Sequence, residues 1–80
     1  MPSSIFSRKY DAFRELITKS RLEASITQSV LAQQLNRPQS YVSKYESGER
    51  RLDVVEFLEV LEALNIDARD FLEKFKEISK

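Results

Sequence analysis

Four side chains that can donate hydrogen bonds, Gln39, Ser40, Ser43 and Lys44, fall on the outward side of one short helix-forming segment whose inward positions are Val42 and Tyr45. Glutamine can pair bidentately with adenine, lysine can donate to O6 and N7 of guanine, and serine can reach bases or phosphates. A segment that only roofs a core more often carries Glu and Lys pairs on that side. Taken alone, the four residues also fit an ordinary exposed polar face. Covalent chemistry is poorly served: the 80 residues include no Cys and no His. That removes a thiolate nucleophile, an imidazole base, a disulfide framework and the commonest zinc ligand. With one glycine in the chain there is no phosphate-cradling glycine loop, and no nucleophile with its base can be picked out. An enzyme is not expected, nor a metal or cofactor.

The elements that must position these residues read as helices. One Gly and two Pro in a chain rich in Glu, Lys, Leu, Gln and Ala point to an all-α fold rather than a sheet. Tyr10, Phe13, Leu16, Ile17 and Ala24 recur at helical spacing and predict a first helix over about Arg8 to Ala24, capped by Ser7. Thr27 predicts the start of a second helix, Gln28 to Leu35, with Leu31, Ala32 and Leu35 inward, and Asn36 supplies a left-handed exit. Pro38 opens a third helix that ends near Ser47, because Gly48 sits where a left-handed residue is needed. Asp53 and Glu56 have capping-box spacing ahead of a fourth helix, Val54 to Leu64, which Asn65 closes. Its apolar residues Val54, Val55, Phe57, Leu58, Val60, Leu61 and Leu64 cover well over half the circumference, as in a helix buried on more than one side. Asp67 caps a fifth helix, Ala68 to Ser79, with Phe71, Leu72, Phe75 and Ile78 on one face.

The whole chain, residues 1–80, reads as one domain. No apolar run approaches the roughly 20 residues of a membrane span, and Met1 to Tyr10 lacks an apolar core of signal-peptide type, so a soluble cytoplasmic protein is expected. The formal net charge is zero but unevenly placed: residues 1–51 hold nine Lys or Arg and five acids, residues 52–80 four bases and eight acids. Neutrality argues against a protein that coats nucleic acid without selection, while a local basic patch can still meet phosphates.

Gln28 to Leu35 and Gln39 to Ser47, joined by about three residues, have helix-turn-helix spacing, and small Ala32 lets two steeply crossing helices approach. With Arg21, the run Ile26-Thr27-Gln28, Leu31-Ala32, Leu35, Gln39-Ser40, Val42-Ser43-Lys44, Glu46, Gly48, Arg50-Arg51, Phe57-Leu58 and Leu61-Ala63-Leu64, the sequence resembles the lambda-repressor-like, Cro-type (XRE-type) helix-turn-helix domains of bacterial and phage regulators. The resemblance covers residues 13–72, and the runs Pro38 to Glu46 and Gly48 to Asp53 are similar to a subgroup of compact standalone regulators. It implies a five-helix DNA-binding fold, with Gln39, Ser40 and Lys44 contacting bases. Thr27, Gln28, Ser43, Ser47 and Arg51 are implied at phosphates; Arg37 and Arg50 would add charge beside the backbone, and Tyr41 would touch a phosphate or a thymine methyl. Arg21 and Glu46 correspond to an ion pair that ties the first helix to the recognition helix. The chain departs from the family pattern at Ser25 and Asn36, where glycine is frequent, and at Pro38, where Ser or Thr usually caps.

One short helix reads few base pairs, and each bidentate contact gives about 1–3 kcal/mol of discrimination. A homodimer is therefore expected, its recognition helices about 34 Å apart on double-stranded DNA with an inverted repeat. Phe71, Leu72, Phe75 and Ile78, with the broad apolar face of the fourth helix, are the candidate seam. The alternative is an antitoxin-like interaction module that holds a protein partner through its acidic C-terminal helices.

Overall fold

Most helices begin where a short polar side chain takes an orphan amide proton, and several end where the backbone turns left-handed. The computed structural model describes the backbone of residues 4–80 and side chains from residue 8 onward, as five helices: α1 (Ser4–Glu23), α2 (Gln28–Gln34), α3 (Gln39–Ser47), α4 (Val54–Ala63) and α5 (Ala68–Ile78). The fold is all-α. Thr27 Oγ1 accepts from the Val30 amide at 3.1 Å. Asp53 and Glu56 close a full capping box, at 2.8 Å to the Glu56 amide and 3.0 Å from the Asp53 amide. Asp67 accepts from the Arg69 and Asp70 amides at 2.8 and 3.2 Å. At the exits Ser25, Asn36 and Asn65 adopt φ of 59°, 58° and 60°, and Gly48 adopts 92°. Asparagine tolerates this region through local side-chain hydrogen bonding, whereas serine holds it at some strain.

Two helix starts differ from the sequence reading. Ser7 does not cap α1; the helix runs through it from Ser4, since serine is only mildly unfavourable inside a helix and the backbone ladder can continue across it. The expectation for Met1 to Tyr10 falls partly outside the described residues. Pro38 is the cap of α3 rather than its first residue, extended at ψ 156° and offering no side-chain hydrogen bond. Proline's missing N–H costs nothing there, and its fixed φ of −67° still fits the entry to the helix. Ala24, expected inward, lies just past the end of α1 and is exposed.

Each helix contributes to one core: Ile17 from α1, Leu31 and Ala32 from α2, Val42 and Tyr45 from α3, Val60 and Leu61 from α4, and Phe71 from α5. Phe13 lies edge-on to Phe57, Phe71 and Phe75, with ring centroids 5.4, 5.9 and 6.0 Å away. This aromatic cluster ties α1 to α4 and α5, each buried ring contributing about 1.5–3 kcal/mol. It also corrects the expected seam. Phe71 is only 2% exposed, and Phe75 is half-buried against the core, whereas Leu72 and Ile78 are exposed. On α4, Phe57, Val60 and Leu61 face in, while Val54, Val55 and Leu58 face solvent. Among the described residues no helix is long and apolar enough to cross a membrane.

Candidate nucleic-acid interface

Burial along α3 alternates in pairs: Tyr41, Val42, Tyr45 and Glu46 are buried, and Gln39, Ser40, Ser43, Lys44 and Ser47 are exposed. The exposed set is a continuous polar edge, because positions three and four apart stack on one side of a helix. α1 holds this helix against the core. Arg21 Nε and Nη2 donate to the two carboxylate oxygens of Glu46 at 2.8 and 3.1 Å, and its Nη1 donates to the Ile26 carbonyl at 2.7 Å. Both residues are buried, so the pair fixes an orientation more than it adds stability. The hydrogen bond to Glu46 raises the Arg21 pKa further, and burial pushes the Tyr45 phenol well above its ordinary value.

Two turns before Arg21, on the same face of α1, Arg14 donates from Nη1 to the Glu46 carbonyl at 2.8 Å and from Nη2 to Asp11 at 3.2 Å. A cation against a carbonyl in the last turn complements the negative end of the α3 dipole. Its Nε is buried without a hydrogen-bond partner, and a Cβ on Gly48 would lie 3.3 Å from it. Glycine at position 48 therefore satisfies both a left-handed φ and a close overhead side chain. The sequence reading missed Arg14; its seven-residue spacing from Arg21 was the available signal.

A chain of hydrogen bonds leads from the buried pair to the polar edge. Gln28 Nε2 donates to Glu46 Oε1 at 2.9 Å. Gln39 Nε2 reaches Gln28 Oε1 at a long 3.5 Å, and Ser29 Oγ donates to Gln39 Oε1 at 3.3 Å. The Gln39 amide is thus oriented before any ligand arrives, and the Gln28 side chain, expected at a phosphate, is engaged inside the protein. Thr27 accepts through Oγ1 and retains its own hydroxyl proton for an external acceptor. Ser47 donates to the Lys44 carbonyl at 3.1 Å and accepts from the Glu49 amide at 3.4 Å.

Two expected backbone contacts sit differently. Tyr41 is 8% exposed and edge-on to Tyr45 at 5.6 Å, so its ring packs in the core instead of projecting outward. Arg37 and Arg50 stack on that ring, 4.6 and 4.8 Å from its centroid. Arg50 is also forked onto Glu56, at 3.1 Å from Nη1 and 2.7 Å from Nη2. The hydrogen bonds from Arg50, and then from the Asp53 amide, hold the Glu56 carboxyl down at about 2. Arg51 is exposed and stacks on Tyr10 at 4.2 Å, and Tyr10 Oη accepts from the Leu52 amide at 3.2 Å. Exposed Arg37, Lys44 and Arg51 have no ion pair among the described residues, so their charge is available to an anion. No cluster of metal-ligating side chains occurs among the described residues.

No curated protein matches the sequence. The helix-turn-helix family model HTH_3 matches residues 17–71. Among solved structures, an XRE-family-like protein from Pseudomonas syringae pv. tomato str. DC3000 is 40% identical, covering 96% of this chain and 94% of its own, with a TM-score of 0.89. A mutant of the restriction-modification controller protein C.Esp1396I is 30% identical over 90% of this chain and 97% of its own, with a TM-score of 0.81. The wild-type controller is 26% identical over 86% of this chain and 90% of its own, with a TM-score of 0.80. The paired burial of α3, its anchoring to α1 and the match over both helices of the motif lead to one conclusion: the chain belongs to the XRE-type helix-turn-helix family of DNA-binding regulators.

Proposed function

We propose that the protein is a sequence-specific transcriptional regulator that binds an inverted-repeat operator as a homodimer, each copy laying α3 in the major groove. The observation that carries this reading is the preset polar edge of α3, where Gln39 is held by Gln28 and Ser29 beside exposed Ser40, Ser43 and Lys44. Gln39, Ser40 and Lys44 read bases; Thr27, Ser43, Arg37 and Arg51 meet phosphates. Two copies are needed because one such edge discriminates too few base pairs to select a site in a genome. The seam lies on the exposed apolar residues of α4, Val55 and Leu58, and continues onto α5 through Ala68 and, one turn later, Leu72. The likeness to a restriction-modification controller protein fits a small regulator of this kind.

Selection of bound fragments from randomised duplex DNA by the purified protein tests the proposal. An inverted repeat is the expected product, with half-sites about one helical turn apart. Gln39→Ala and Lys44→Ala should each relax preference at one position per half-site, costing about 1–3 kcal/mol. Unchanged preference in both variants would reject the base-reading assignment. The exposed apolar residues of α4 beside Glu59 and Glu62 also favour a second reading, a partner protein seated on that face. In that case the protein alone enriches no sequence, and a companion copurifies with it.

A further inference from the structure

Arg37, Tyr41, Arg50 and Glu56 form a layered stack at one edge of α3. The two guanidinium groups lie on the Tyr41 ring, 4.6 and 4.8 Å from its centroid, so both cations occupy the same edge of the recognition helix. Their electrostatic states differ. Arg37 is exposed and has no ion pair among the described residues. Arg50 is gripped by both Glu56 oxygens at 3.1 and 2.7 Å and also donates to the Arg51 carbonyl at 3.2 Å. Glu56 is itself anchored, because its Oε1 accepts from the Asp53 amide at 3.0 Å and its backbone belongs to the first turn of α4. A carboxylate fixed in a capping box cannot follow Arg50 toward a ligand, so a phosphate reaching Arg50 must displace a charge-assisted bidentate contact.

We infer that Glu56 is a positioning residue that withholds Arg50 from the DNA backbone and so limits sequence-independent affinity. The inference rests on the DNA-binding reading above. Arg37 then counts toward the phosphate contacts and Arg50 does not, although both stand at the same edge. Neutralising Glu56 adds one phosphate contact without touching the base-reading side chains.

The test is the salt dependence of binding to random-sequence duplex, measured with the full chain. Glu56→Gln keeps a capping-box residue, since glutamine can accept from the Asp53 amide, while removing the charge that holds Arg50. The slope of log affinity against log salt should steepen by about 0.9 unit. Raising salt from about 50 to about 200 mM would then weaken the variant about threefold more than the wild type. Arg50→Gln alone should leave the slope unchanged, Arg37→Gln should flatten it by about 0.9 unit, and Glu56→Gln with Arg50→Gln should return it to the wild-type value. Thermal melting of each variant separates these effects from unfolding. An unchanged or flatter slope in Glu56→Gln, or a flatter slope in Arg50→Gln, would overturn the inference. Failure of the wild type to bind duplex DNA at low salt would instead overturn the DNA-binding reading, and this inference with it.

Discussion

Glu46 is the residue on which most of the recognition helix depends. Its carboxylate takes hydrogen bonds from Arg21 and Gln28, and its carbonyl takes one from Arg14. Arg21→Ala would strand a buried carboxylate with only Gln28 beside it, and should lower stability by about 3 kcal/mol in denaturant unfolding. A loss below about 1 kcal/mol, the level of an exposed pair, would show that the pair is solvated in solution. Glu56 gives a pH signature of opposite origin. Its folded pKa is about 2 against an ordinary 4.5, so it stabilises the fold fully above pH 4.5. That contribution is lost as pH falls from 4.5 toward 2. Unfolding curves across this window should be steeper in pH for the wild type than for Glu56→Gln; equal pH dependence would remove the ion pair from the account. The Arg21–Glu46 pair was legible because the motif carries it. The fork between Arg50 and Glu56 was not, because five residues of loop and capping turn separate them and spacing says nothing about the path between. Arg50 therefore read as a free cation.

Caps and helix exits were the most legible elements. Thr27, Asp53 and Asp67 act over two or three residues, so their hydrogen bonds depend on local sequence alone, and all three form as expected. Gly48 was legible for its φ but not for the Arg14 guanidinium above it. Gly48→Ala should therefore cost more than backbone strain alone, which is about 1–2 kcal/mol. Gly48→Ala combined with Arg14→Ala should cost less than the sum of the two single changes. Strict additivity in thermal unfolding would mean that Arg14 yields freely. The helices α4 and α5 were legible as amphipathic, but not in the direction each apolar residue faces. A helical wheel groups Phe71 with Leu72 and Ile78, whereas Phe13, from the far end of the chain, draws Phe71 inward and leaves the others out. The partner that decides burial lies nearly 60 positions away, and no local pattern names it.

Across the described residues, the basic excess and most of the exposed large apolar side chains fall in different parts of the chain. The recognition edge and the cations Arg37, Lys44 and Arg51, without an ion pair among the described residues, belong to the first 51 residues, where bases exceed acids. Of the exposed large apolar residues, Leu22 and Val30 lie there on α1 and α2, and Val54, Val55, Leu58, Leu72 and Ile78 lie on α4 and α5, in the acidic remainder. Apart from Glu56, which pairs with Arg50 at the edge of α3, an acidic remainder turned from the phosphates in the proposed docking would favour a fixed orientation on DNA. If Val55 and Leu58 form the seam between copies, Val55→Lys with Leu58→Lys should give a monomer by light scattering. The melting temperature of the isolated monomer should be retained, because both side chains already face solvent. A dimer that survives this change would move the seam off α4.

The hydrogen bond between Gln28 and Gln39 also bears on how such a regulator changes its target over generations. The side chain at position 39 is supported by the one at position 28, which is supported in turn by Glu46. A mutation at 39 that alters the base preferred leaves an amide at 28 shaped for the old partner, so new preferences should arise as paired replacements. Relatives that keep glutamine at one of these positions are expected to keep it at the other, whereas Ser40 and Lys44, with no side-chain partner among the described residues, are free to drift singly.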